Sequence, residues 1–141
     1  MTNVLLLLTP KNSVACLDDQ MNVRQAYEKM KAHGYMAVPV VSSMGEYMGT
    51  ITEGDLLHCM VNNKCDLEKA EDINVSSLIR KDYTPAVKVD ASFEQVLEFV
   101  MSQNFVPVVD DEENFIGILT RKEIMKWMRD KYNTDHPEGG N

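Results

Sequence analysis

A chain of 141 residues with 44% hydrophobic and 26% charged side chains can bury one compact domain or two docked half-domains, and reads as an ordinary globular protein. Its formal net charge of −8 and pI of about 4.8 leave too few Lys and Arg to face phosphate broadly, which excludes a general nucleic-acid or anionic-membrane surface. One small anion in a local basic or dipolar pocket stays compatible with that charge. The first ten residues have no basic n-region, and their apolar run is too short for a signal peptide or a membrane span, so a cytoplasmic protein is expected. Cys16, Cys59 and Cys65 lack CxxC spacing and His33, His58 and His136 are scattered, so neither a disulfide framework nor a metal site is indicated.

Val4, Leu7 and Leu8 have an i, i+3, i+4 spacing that reads as a short helical turn entering the first unit. Ser13 to Leu17 reads as extended. Asn22 with Gln25 three residues on is a capping-box pattern. The helix it opens carries Val23, Ala26, Tyr27 and Met30 on one face, and Gly34 stops it. Met36 to Val41 is a dense apolar run suited to a strand buried on both faces. Ser42 to Gly45 makes a turn and Tyr47 to Ile51 a strand. Thr52 then caps a helix from Glu53 to about Val61. The first unit, 1–62, is thus β-α-β-β-α. A polar linker, 63–74, holds Asp66, Glu68, Glu71 and Asp72. The second unit, 75–132, repeats the order. Val75, Leu78 and Ile79 form its leading turn and Ala86 to Val89 is extended. Ser92, with Gln95, caps a helix bearing Val96, Val100 and Met101. Phe105 to Val109 and Phe115 to Leu119 are strands, and the last helix runs from Arg121 to about Lys131. Residues 133–141, with Pro137 and two glycines, read as a flexible tail.

The two units share sequence as well as order. Val38-Pro39-Val40-Val41 returns as Val106-Pro107-Val108-Val109, and Gly49-Thr50-Ile51-Thr52 as Gly117-Ile118-Leu119-Thr120, both at an offset of 68 residues. Each Thr meets an acid three residues on, Asp55 and Glu123. A unit that cannot bury its own apolar face packs on its twin, so function is expected at the seam.

These residues resemble the cystathionine-β-synthase (CBS) domain, and the pair resembles a Bateman module. The resemblance rests on Met30…Gly34, Val38 to Val41, Gly45 and Gly49 to Leu57, then on Val106 to Asp110 and Gly117 to Ile124, and spans roughly Val4 to Lys131. The chain is also similar to the stand-alone two-repeat bacterial proteins of that family. The resemblance implies an α/β (α+β) fold in which two repeats pack through their sheets with pseudo-twofold symmetry. It also implies two clefts for adenosine derivatives such as AMP, ADP, ATP, S-adenosylmethionine or cyclic di-AMP. The motif acid, Asp55 or Glu123, would hold the ribose, and Thr52 or Thr120 would reach phosphate.

The chemistry is coherent with that assignment. One carboxylate can accept hydrogen bonds from both ribose hydroxyls, and charged hydrogen bonds are the stronger kind. Thr52 stands at a helix N-terminus, where free N–H groups favour an anion. The plain alternative is a Thr N-cap with an exposed Asp. Glu123 is one methylene longer and either holds ribose less well or turns away. Arg121 and Lys122, beside Thr120, can pair with phosphate or form an ordinary solvated helix start. Candidates for an apolar adenine slot are Val14 and Ala86 at the strand entries, Tyr35, Met36 and Ala37, and Asn104 with Phe105; the alternative for each is core packing.

No nucleophile–base pair, metal cluster or P-loop is recognisable, so the expected protein is not an enzyme and requires no cofactor. It is a regulatory sensor with an adenine nucleotide as ligand. A homodimer is expected, with Trp127 or the Met-bearing helices near the contact, together with an unidentified effector protein. The rivals are a ligand-free interaction scaffold and an enzyme acting on a nucleotide.

Overall fold

The computed structural model describes residues 3–64 and 66–137. Its elements run β1 (Thr9–Pro10), β2 (Leu17–Asp18), α1 (Val23–His33), β3 (Ala37–Val41), β4 (Tyr47–Thr52), α2 (Glu53–Asn62), α3 (Leu67–Ala70), β5 (Val87–Lys88), α4 (Phe93–Val100), β6 (Phe105–Val109), β7 (Phe115–Thr120) and α5 (Arg121–Asp135). The duplication is visible in the ladders. β3 pairs antiparallel with β4 from Ala37↔Thr52 to Val41↔Tyr47, and β6 pairs with β7 from Phe105↔Thr120 to Val109↔Phe115. Both ladders shift register at the same place, Val40/Val41 and Val108/Val109. β2 adds parallel to β3, and β5 parallel to β6.

Local chemistry sets the helix ends. Asn22 and Gln25 exchange side-chain bonds of 2.9 Å to each other's backbone N–H, and Gly34 ends α1 at φ +68°. The α4 cap is one-sided, with the Gln95 N–H donating to Ser92 Oγ at 3.1 Å. α5 continues past the expected end at Lys131, so 133–135 of the expected tail are helical, while 138–141 and Cys65 lie outside the described residues. The stretch read as a linker contains α3, whose Ala70 is fully buried.

The two cores are not built each from its own half. Val4 is buried among Val87, Val96, Val106, Val108, Leu119 and Ile124 of the second repeat, with Leu7 and Leu8 packed against them. Val75 is buried in the first repeat with Leu17, Val23, Val38 and Ile51, with Leu78 and Ile79 against it. The expected leading turns do form, as 3-10 helices at Val4–Leu7 and Val75–Leu78. Each, however, enters the opposite repeat rather than its own. Periodicity marks an apolar face without naming the surface that will cover it. β1 follows its leader across and pairs with β7, giving a four-stranded sheet β1-β7-β6-β5 beside the three-stranded β2-β3-β4.

This exchange explains the motif glycines. Gly117 sits at φ +158°, and a Cβ there would collide with the Thr9 carbonyl and the Leu8 side chain. Gly49 sits at φ +148°, where a Cβ would collide with Ile79. Each glycine therefore admits the leader that crosses from the other repeat. The hairpin tips join the repeats as well: the Phe115 N–H donates to the Gly45 carbonyl at 2.9 Å and the Tyr47 N–H to the Glu113 carbonyl at 3.2 Å. Trp127 is half-buried against Phe93, ring centroids 4.4 Å apart, so part of its surface is used within the chain.

Candidate functional site

β4 ends and α2 begins at Thr52. The Asp55 N–H donates to Thr52 Oγ1 at 3.1 Å, and Asp55 Oδ2 accepts from the Thr52 N–H at 2.8 Å and from its hydroxyl at 2.9 Å. The predicted pair is therefore one closed capping box, with Asp55 only 9% exposed. Its other oxygen, Oδ1, pairs with Arg80 Nε at 2.9 Å. The Arg80 guanidinium carbon lies 3.3 Å from the centroid of the Tyr83 ring, a cation–π stack. These groups border a cavity of about 700 Å³, also lined by Gly54, His58, Ser77 and Leu78. That volume lies within the range of small-molecule sites.

Sequence reasoning missed Arg80, Tyr83, Ser77 and His58. Ser77 lies within the second leader and Arg80 and Tyr83 follow it; the leader packs on the first repeat and delivers them to a cleft whose acid belongs to the other half. The polar run Arg80-Lys81-Asp82-Tyr83 carries no periodicity. Only the leader correspondence pointed toward it, and the exchange was needed to place it.

The second cleft gathers Thr120, Val14, Tyr35, Ala37, Asn104 and Phe105, six of the expected site residues, with Pro39 and Ile118 around a cavity of about 260 Å³. Its lining draws on both repeats, at the seam. Met36 is not among these residues. β3 begins at Ala37, one residue later than expected, and Met36 lies in the bend before it, 67% exposed, its carbonyl accepting from the Glu53 N–H at 2.9 Å; within the strand Ala37 and Pro39 share the cleft side, and Tyr35 joins them there. Ala86 lines neither cleft. Val87 takes the place of Leu17 in the parallel ladder, which makes Thr84 the counterpart of Val14. Thr84 uses its carbonyl to accept from the Tyr47 hydroxyl at 2.6 Å, and burial pushes that phenol's pKa up.

The second acid differs from the first. The Glu123 N–H donates to Thr120 Oγ1 at 3.1 Å, but the Glu123 carboxylate pairs at 3.7 Å with Lys126. The side chain has turned away from the cap. Arg121 Nε donates to the Val100 carbonyl at 3.0 Å, tying α5 to the end of α4, and Lys122 is exposed. Neither Arg121, Lys122 nor Glu123 lines the second cleft. Among the described residues no group of three or more His, Cys, Asp or Glu is placed to hold a metal, and no helix is long and apolar enough to cross a membrane.

Residues 7–62 and 75–130 each match the CBS domain, so the chain belongs to the CBS-domain family. It is 31% identical over 112 residues to an inosine-5'-monophosphate dehydrogenase of Methanocaldococcus jannaschii, matching 78% of this chain and 20% of that enzyme; it thus spans a fifth of the enzyme's length. It is 26% identical over 106 residues to cyclic di-AMP receptor B of Bacillus subtilis, covering 74% of this chain and 71% of the receptor. The solved structure of CbpB in complex with c-di-AMP has the same fold, with a TM-score of 0.86, 21% identity, and coverage of 97% of this chain and 91% of that one.

Proposed function

We propose that this protein is a regulatory CBS pair whose ligand is an adenine nucleotide or related adenosyl compound. The ligand is held at the Thr52/Asp55/Arg80 cleft and its occupancy is passed to an effector protein. The observation that carries the reading is the buried Asp55 carboxylate in a closed capping box on a cavity of about 700 Å³, with a guanidinium beside it. Acid for ribose, helix N-terminus and Arg80 for phosphate are the complementary chemistry. The likeness to a cyclic di-AMP receptor supports the same ligand class. The second cleft is the smaller, and its acid is turned to Lys126, so it is the weaker or empty site. Occupancy regulates only if the ligand prefers one of two arrangements of the docked repeats or of two chains. The protein acts in the cytoplasm as a homodimer and catalyses no reaction of its own.

A thermal-shift panel of adenosine, AMP, ADP, ATP, S-adenosylmethionine and cyclic di-AMP tests this. A ligand at one hundred times its Kd stabilises by about 2.7 kcal/mol, several degrees for a domain of this size. At least one member is expected to raise Tm in this way, and GTP is not. The scaffold reading is favoured by one observation, that Asp55 is already satisfied by Arg80. A panel without any shift would put that reading first.

A further inference from the structure

Each carboxylate oxygen offers two lone-pair sites, four in all. At Asp55, Oδ2 already accepts twice, from the Thr52 N–H and hydroxyl, and Oδ1 accepts once, from Arg80 Nε. One acceptor site is left. A ribose needs two if both vicinal hydroxyls are to be held. The capping bonds are part of the N-terminus of α2 and give way only if the helix start does. Arg80 is the movable partner: its side chain is 46% exposed and belongs to an exposed turn between the second leader and β5, where it rests on Tyr83.

Resting on the reading of this cleft as an adenosine-ligand site, we propose that Arg80 is its specificity-determining residue. It is a latch on Asp55 that must exchange partners when the ligand enters. The ribose hydroxyls take Asp55 Oδ1, and the released guanidinium takes anionic oxygen from the ligand. A phosphorylated ligand supplies that oxygen and leaves every charge paired. Adenosine brings no anion; it breaks the ion pair and leaves the guanidinium to solvent. The latch thus makes the cleft a detector of phosphate on adenosine rather than of adenosine itself. The basic residues beside the second motif, Arg121 and Lys122, do not reproduce the device, because Arg121 is spent on Val100 and neither lines that cleft.

Calorimetry with adenosine and with AMP, on wild type, Arg80→Ala, Asp55→Ala and the double variant, tests the proposal by opposite signs. Wild type is expected to prefer AMP. In Arg80→Ala, AMP is expected to bind roughly tenfold weaker, having lost a charge-assisted contact. Adenosine is expected to bind roughly two- to fivefold tighter, having lost a competing, partly exposed ion pair. In the Asp55→Ala background the gain for adenosine disappears, since there is no latch left to remove; binding that persists there belongs to the second cleft. Arg80→Lys, which keeps the cation, is expected to retain most of the AMP preference, and serves if Arg80→Ala folds poorly. If Arg80→Ala weakens both ligands alike, or changes neither, Arg80 is a structural residue and the latch is wrong. If Asp55→Ala leaves AMP binding unchanged, or wild type binds neither ligand, the site reading itself has failed.

Discussion

Tyr47 carries its hydroxyl into the seam, where it meets the Thr84 carbonyl at 2.6 Å and the Thr50 hydroxyl at 2.7 Å. Burial holds its phenol above the ordinary value of 10.0, so the folded state favours the neutral ring. Because the folded pKa is the higher, this stabilisation is complete below pH 10 and is lost as pH rises from there through the folded value. Tyr47→Phe leaves the half-buried Thr84 carbonyl without that donor and should cost about 1–2 kcal/mol at pH 7 in denaturant unfolding. Its stability should then fall less steeply than wild type above pH 10; equal slopes would remove Tyr47 from the account. The two motif acids show how far single residues were legible. The pairing of Thr52 with Asp55 was legible because Thr-x-x-Asp at a helix start has a defined local geometry. The turning away of Glu123 was anticipated only as one of two outcomes, because its partner, Lys126, is chosen by rotamer and not by spacing alone.

At the scale of elements, the crossing leaders are the feature that organises the rest. β1 lies on β7 at Gly117, and the second leader lies on β4 at Gly49. Gly117→Ala forces a side chain into a left-handed backbone position and into the Thr9 carbonyl, so it should cost about 1–3 kcal/mol for the strained backbone alone. It should also lower Tm more than Gly45→Ala, which is conformationally strained at φ +88° but has open space around its Cβ. Equal losses in the two variants would mean that β1 yields freely and the leader is not fixed there. The strand pairs, caps and both hairpins were readable because their signals are local: a Val-Pro-Val-Val run, a capping box, a polar turn between two apolar runs. The exchange was not, because it joins Val4 to Val106 and Val75 to Val38 across tens of residues, and either repeat offers an apolar sheet face that could have received either leader. Arg80 was lost with it. Met36 and Ala86 lie outside the two clefts for smaller reasons, a bend before β3 and a two-residue difference in ladder alignment.

For the whole molecule, the pseudo-twofold pair leaves apolar side chains outside on both repeats: Leu57 and Val61 on α2, Met125, Met128 and Tyr132 on α5. We propose that these faces meet in a homodimer. Light scattering at micromolar concentration should give twice the 16.0 kDa chain mass, and a monomer would contradict it. The central claim concerns the cleft between the first repeat and the leader of the second: Asp55 holds the ribose of an adenosine ligand. Its most direct test is titration calorimetry of AMP into wild type and Asp55→Ala, with folding of the variant checked by its circular dichroism. Loss of a charged contact to two hydroxyls costs about 1.5–3 kcal/mol, so AMP should bind roughly ten- to a hundredfold more weakly to the variant. Equal affinity in the two proteins would contradict the account at the residue on which it rests.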